Sequence, residues 1–168
     1  MKKILFVILM LAPMSIFAQK FAHFNMAEVL PNMAEYQAAS AEIQKLSAQY
    51  QEEYDRLIKE YQTKAEELQK LDEAGNTAQA ILQSKAQDLQ KMQQSIQEFG
   101  QASQQDLEKQ QGEKMQAIQT KVMAAITKLG EAGGYVYVVD TSSGVIPFVN
   151  PSLSTDITAQ VKAELGIK

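Results

Sequence analysis

Apolar residues recur at a helical period through the middle of the chain and at a strand period only near its two ends. No proline falls between Asn32 and Leu71, and that stretch is rich in Ala, Gln, Glu, Lys and Leu, which lose little freedom in a helix. Within it Ile43, Leu46, Tyr50, Tyr54, Leu57, Tyr61, Ala65 and Leu68 follow a 3-4-4 spacing, an eleven-residue repeat. Eleven residues in three turns is about 3.67 per turn, so the contact line runs nearly straight or slightly right-handed. The same interval separates Ile96, Leu107, Ile118 and Leu129, with Leu82, Leu89, Met115, Val122 and Ile126 in support. Glu73-Ala74-Gly75-Asn76 lies between the two stripes, and Gly75 and Asn76 suit the left-handed conformation that ends a helix. Residues 34–129 therefore predict two long antiparallel helices, with Leu46 near Gln105 and Tyr61 near Gln90. At 1.5 Å per residue a forty-residue helix is roughly 60 Å long. A pair that long, apolar on one stripe, makes an arm rather than a globule.

One part of the second helix is weakly specified. From Gly100 to Gly112 the only large apolar residue is Leu107, and each glycine costs ~1 kcal/mol relative to alanine. Bending or fraying is expected there. Charged pairs such as Glu60/Lys64 and Glu66/Lys70 add only ~0.2–0.5 kcal/mol each and mainly solubilise the outer face.

Strand patterns occupy Phe21-Ala22-His23-Phe24-Asn25-Met26, Tyr135-Val136-Tyr137-Val138-Val139 and Val145-Ile146-Pro147-Phe148-Val149, the last two separated by Asp140-Thr141-Ser142-Ser143-Gly144. Pro147 marks the last as short or at an edge. Ser154-Thr155-Asp156 reads as a helix start, Ile157, Val161 and Leu165 share one face, and Gly166 closes the helix. The fold class is thus α+β and mainly α. A small β body is interrupted in sequence by a helical hairpin, inserted between the first strand and the later ones. Three short strands and one short helix bury little apolar area, so the body is expected to form on self-association, which removes exposed edges. Phe24, Met26, Val136, Val138, Ile146, Phe148, Ile157 and Val161 are its candidate residues. The division is 19–33 with 130–168 for the body and 34–129 for the arm.

The first eighteen residues read as a removable export signal. Met1-Lys2-Lys3 supplies positive charge, residues 4–11 a short apolar run, and Ser15-Ile16-Phe17-Ala18 a cleavage-like end. The apolar run is too short to span a bilayer. The formal net charge of −4 falls to −6 once Lys2 and Lys3 are removed with this leader. Such an acidic chain offers nucleic acid no basic surface, and its charge does not indicate membrane contact. The absence of cysteine excludes disulfides, thiolate metal sites, thiol catalysis and a lipidated cysteine. His23, the only histidine, falls within a strand pattern, and Glu52/Glu53 and Glu66/Glu67 lie along solvated helix faces. No phosphate loop, metal spacing or nucleophile constellation is present in the sequence, so no catalytic residue, metal or cofactor is expected and the chain reads as a non-enzyme.

Phe24-Asn25-Met26 after a strand, residues 135–140 ending in Val-Val-Asp, and Asp156-Ile157-Thr158 opening the last helix resemble the corresponding pieces of the Skp (OmpH-like) periplasmic chaperones. The resemblance runs in order through the whole mature chain. It implies a periplasmic homotrimer whose strands form a central body and whose coiled-coil hairpins surround a cavity. In that family the cavity holds unfolded outer-membrane β-barrel proteins without ATP. This chain departs from the strongly basic character of familiar members: residues 34–73 carry ten acidic and five basic side chains. That weighs against charge attraction of acidic clients or lipopolysaccharide, leaving apolar and polar contacts to do the holding. Tyr50, Leu57, Tyr61 and Ile96 are expected in the helix–helix seam. Tyr54, Ile58, Met92 and Phe99 lie at the stripe margins and are the candidate gripping residues, since Met is adaptable and Phe large. A straight antiparallel pair places the first two and the last two toward opposite flanks. The competing reading is an envelope spacer or adaptor whose hairpin docks on a fixed partner.

Overall fold

A computed structural model describes residues 19–167; the export signal expected over 1–18 lies outside them. The elements run β1 (Lys20–Phe24), α1 (Met26–Val29), a 3-10 turn (Leu30–Asn32), α2 (Ala34–Glu73), α3 (Gln79–Gly133), β2 (Tyr135–Asp140), a 3-10 turn (Thr141–Ser143), β3 (Ser154–Asp156) and α4 (Thr158–Glu164). Contacts divide the chain into two compact units. One contains the described residues through Val29 and those from Ala124 onward, and the other is Leu30–Met123.

The first unit is a three-stranded parallel sheet of order β2-β1-β3. Phe21 pairs with Tyr137 and Phe24 with Asp140 on one side of β1, and Ala22 with Thr155 on the other. Parallel neighbours require crossovers, and the helical hairpin supplies the one between β1 and β2. Alternation along β1 turns Ala22 and Phe24 inward, where with Val29, Ala125, Ile126, Ile157 and Val161 they make up the unit's buried apolar core.

The third strand differs from expectation. Residues 145–149 form no strand, and the partner of β1 is Ser154-Thr155-Asp156, a segment too polar to carry a hydrophobic alternation. Its pairing comes from the backbone of β1, and His23 Nδ1 lies 2.9 Å from Ser154 Oγ across the strands. The helix-start signal survives one step later. Asp156 Oδ1 accepts from Thr158 N at 2.8 Å and from Thr158 Oγ1 at 2.6 Å as α4 begins.

The three segments that carry the family resemblance meet at the end of β1. Asn25 N donates to Thr158 Oγ1 (3.1 Å), Met26 N to Asp140 Oδ1 (3.1 Å), Thr141 Oγ1 to the Phe24 carbonyl (3.1 Å) and Ile157 N to the His23 carbonyl (2.9 Å). The backbone leaving the sheet would otherwise have unpaired polar groups, and residues distant in sequence satisfy them. Burial raises the Asp140 carboxyl, but hydrogen bonds from Ser142 and from Met26 N outweigh it and hold the group below the usual carboxylate range. Asp156 is lowered too, chiefly by the Thr158 hydroxyl and amide.

In the second unit α2 and α3 reverse direction through residues 74–78. Gly75 is left-handed at φ 67°, and Thr77 Oγ1 donates to the Leu71 carbonyl at 3.1 Å. No residue of α2 is fully buried. Ile43, Leu46, Tyr50, Leu57, Tyr61, Ala65 and Leu68 are half-buried, as a stripe covered by one facing helix should be. On α3 Ile96, Ile118 and Val122 are buried and Leu107 half-buried, so the eleven-residue repeat is the contact line. The expected antiparallel pairing appears as Tyr50 reaching Asp106, and as Leu46 sharing a recess with Asp106 and Gln110. Lys85 pairs with Glu67 at 2.9 Å, and Lys114 with Glu42 and Lys121 with Glu35 also cross the seam. These pairs are exposed, worth ~0.2–1 kcal/mol each, and sensitive to salt.

The segment from Gly100 to Gly112 is helical, as is α3 throughout. Side chains of α2 occupy the space its small residues leave. A Cβ built on Gly100 would lie 3.7 Å from Tyr54 Cε2, Tyr50 Oη donates to Asp106 Oδ2 at 2.7 Å, and the Tyr50 ring meets Phe99 edge-on with centroids 6.0 Å apart.

Candidate functional surfaces

The hairpin unit exposes few large apolar side chains: Tyr54 at 37%, Ile81 at 50% and Met123 at 55%. Of the four gripping candidates, Tyr54 is thus exposed while Ile58, Met92 and Phe99 are half-buried. The ring that Phe99 meets is that of Tyr50. Tyr54, one turn along α2, lies beside Gly100, the residue after Phe99. The two candidates thus share one level of the hairpin. Ile58 and Met92 follow toward the turn. Ile81 and Met123 escaped the sequence reading because they stand off the eleven-residue stripe, and an isolated exposed apolar residue leaves no periodic signal.

Carboxylates outnumber cations around this aromatic group, with Glu52, Glu53, Asp55, Glu60, Glu98 and Asp106 against Arg56 and Lys59. Hydrogen bonding to Asp106, then burial, then the Asp106 charge push the Tyr50 hydroxyl above the ordinary tyrosine range, so it stays a donor. Arg56 is held between Glu53 (2.7 Å) and Glu60 (3.2 Å), and its hydrogen bond lowers the Glu53 carboxyl. Lysine contacts likewise lower Glu35, Glu42 and Glu67.

The second surface is a face of the sheet. Of the eight body candidates, Phe24, Ile157 and Val161 are buried within their own unit, Met26, Val138 and Ile146 are half-buried, and Val136 (46%) and Phe148 (74%) are exposed. Phe21 and Tyr137 stack at 6.3 Å with planes 10° apart, and with Val139, Ile146, Phe148 and Leu153 they line an apolar groove. Val145 and Leu153 stand 81% and 71% exposed beside it. The groove could have been anticipated at Tyr137, which alternates with Val136 and Val138 and so faces away from Val138. The loop residues could not, because no periodicity places them.

The sheet also brings a serine, the histidine and an aspartate into neighbouring positions. Cross-strand pairing sets His23 opposite Asp156, with Ser154 Oγ 2.9 Å from His23 Nδ1. A catalytic triad needs its acid to orient the imidazole, and Asp156 Oδ1 is instead engaged by Thr158. Among the described residues no group of His, Cys, Asp or Glu could hold a metal ion, and no described helix is long and apolar enough to cross a membrane.

Comparison with known proteins places both surfaces in context. The family described as "Outer membrane protein (OmpH-like)" matches residues 20–165, which span β1, the hairpin, the later strands and α4. Among solved structures, a candidate OmpH-like outer membrane chaperone from Caulobacter crescentus CB15 superimposes with a TM-score of 0.73 at 20% identity, over 88% of this chain and 83% of that one. A search of curated proteins gave no match.

Proposed function

This chain belongs to the OmpH-like outer membrane protein family, and from that premise we propose that it is a periplasmic holdase that clasps unfolded outer-membrane β-barrel proteins without nucleotide and prevents their aggregation. The family match over both the hairpin and the sheet carries the reading. The physics of the two units supports it. An unfolded barrel protein exposes alternating apolar side chains and unpaired strand edges, and aggregates through them unless shielded. A hairpin whose first helix buries no residue fully keeps its apolar stripe half-buried rather than enclosed. Each contact is weak at ~25 cal/mol/Å² of buried apolar area, but several arms acting together multiply them. Many shallow contacts also let a client leave without ATP.

In this reading residues 34–129 are the holding arm, 19–33 with 130–168 the association body, and 1–18 the export signal. Self-association uses the exposed groove around Phe21, Tyr137, Ile146, Phe148 and Leu153, whereas Phe24, Ile157 and Val161 stabilise each subunit from within. A homotrimer is the assembly taken from the family resemblance.

The test is light scattering of a urea-unfolded barrel protein diluted into buffer with the full mature chain and no nucleotide. Suppression at near-stoichiometric assembly supports the holdase. Undiminished aggregation supports a spacer whose hairpin docks on a fixed partner.

A further inference from the structure

We propose that His23 makes self-association of the β body pH-sensitive, with proton uptake on its ring loosening the assembly. The inference rests on the reading that a second copy of the chain covers the groove around Phe21, Tyr137 and Phe148, and it adds what sets the strength of that contact. His23 is the only histidine and cysteine is absent, so it is the one side chain of a type that ordinarily changes charge between pH 5 and 8. Alternation along β1 puts it on the face of Phe21, away from buried Ala22 and Phe24. Val139, its register partner on β2, and Ser154, whose Oγ lies 2.9 Å from His23 Nδ1, both line the groove. The ring thus stands against the groove wall and is half-buried in the single subunit.

The surroundings set the direction of the effect. The Ser154 hydroxyl can accept from a charged ring as readily as it donates to a neutral one, so the subunit itself tolerates protonation. Asp156 is the register partner of His23 on β3, and its carboxyl, lowered chiefly by Thr158, is lowered further by the charges of His23 and Lys162. Lys162, on α4, pairs with Glu28 on α1 at 3.2 Å. On β2 the nearest carboxylate, Asp140, pairs with inward-facing Phe24 and accepts from Met26 N and Ser142. Lys20, on β1 itself, donates to the Gly133 carbonyl. Attraction to Asp156 acts on the ring in the separate and the assembled subunit alike. Dehydration does not. Covering the groove strips water from the ring, which costs the charged form more than the neutral one. The assembled state therefore binds the proton less tightly, so association is complete above the pH at which the uncovered ring titrates and weakens as pH falls through it. Since the arms multiply their grip only while subunits are joined, acid also weakens the hold on a client.

The experiment is sedimentation velocity of the full mature chain over a concentration series at about pH 7.5 and about pH 5.5, at one ionic strength. The apparent association constant should fall about tenfold per subunit at the lower pH, the effect of lowering an imidazole pKa by about one unit on burial. His23→Gln, which can still bond Ser154, and His23→Phe, which keeps an apolar ring, should each associate equally at the two pH values. Both variants retain the α-amino group and every carboxylate, so loss of the pH dependence assigns it to the imidazole. Circular dichroism at both pH values confirms that they fold. Proton NMR of the single imidazole should show a lower titration midpoint in the concentrated, assembled chain than in the dilute one. Wild type that associates equally or more tightly at the lower pH, or a pH dependence that persists in either variant, overturns the proposal. A chain that stays monomeric at both pH values loses the association reading as well, whereas one that assembles regardless of pH keeps it and loses only the switch.

Discussion

Replacing Gly112 with alanine should stabilise the hairpin. Gly112 is helical, and a Cβ there would meet nothing within 4 Å, so alanine introduces no clash and the change reduces to helix propensity. Relieving the entropy of a helical glycine is worth ~0.4–1 kcal/mol. Gly100→Ala should gain a similar amount, because its methyl would meet Tyr54 Cε2 at the ordinary contact distance of 3.7 Å. The two positions are twelve residues apart, or roughly 18 Å along the axis, so their effects should add to ~1–2 kcal/mol. Native-state amide exchange over residues 100–116 reads the local opening directly, and the double variant should slow it by about five- to thirtyfold. Protein concentration must be fixed, since association alters apparent stability. Faster exchange in Gly112→Ala would refute the reasoning, because it would mean that the helix needs a bend there that glycine alone permits. A loss confined to Gly100→Ala would instead contradict the packing of Tyr54.

Val161 is fully buried, so Val161→Ala should cost ~2–3 kcal/mol through two lost methyl groups and the cavity they leave, measured by chemical denaturation. Asp140 has a folded-state pKa below its unfolded value, so its contribution is complete above the unfolded pKa of about 3.9 and is lost as pH falls through the folded one. Asp140→Asn should therefore be less stable than wild type at neutral pH, and the difference should shrink as denaturation is repeated below about pH 4. Tyr137→Asp and Phe148→Asp place charge on the exposed groove and should shift sedimentation toward the monomer, with the hairpin's helical signal retained.

The hairpin was legible because one period governs nearly a hundred residues: Ile96 and Ile118 are buried where the repeat put them, and Gly75 is left-handed at the turn. Only part of what supports the stretch from Gly100 to Gly112 was legible, because it includes side chains of the facing helix. Tyr50 and Tyr54 fill what α3 lacks, and a propensity argument along one helix cannot see them. The sheet was half legible. β1 and β2 alternate, but β3 is polar and owes its form to backbone pairing with β1, while the apolar run at 145–149 remains irregular and exposed. For the body candidates, hydrophobicity identified residues that become buried or could be covered. It could not separate Val161, which is enclosed within its own unit, from Phe148, which stays 74% exposed.

The claim that the hairpin holds the client is tested most directly by photo-crosslinking. Benzophenone probes at Tyr54 and Ile81 on the hairpin and at Gln160 on α4, all exposed positions, are irradiated in the full mature chain bound to an unfolded barrel protein. The account predicts covalent adducts to the client from Tyr54 and Ile81 and little from Gln160. Adducts confined to Gln160, or none from the hairpin while aggregation is suppressed, would contradict it.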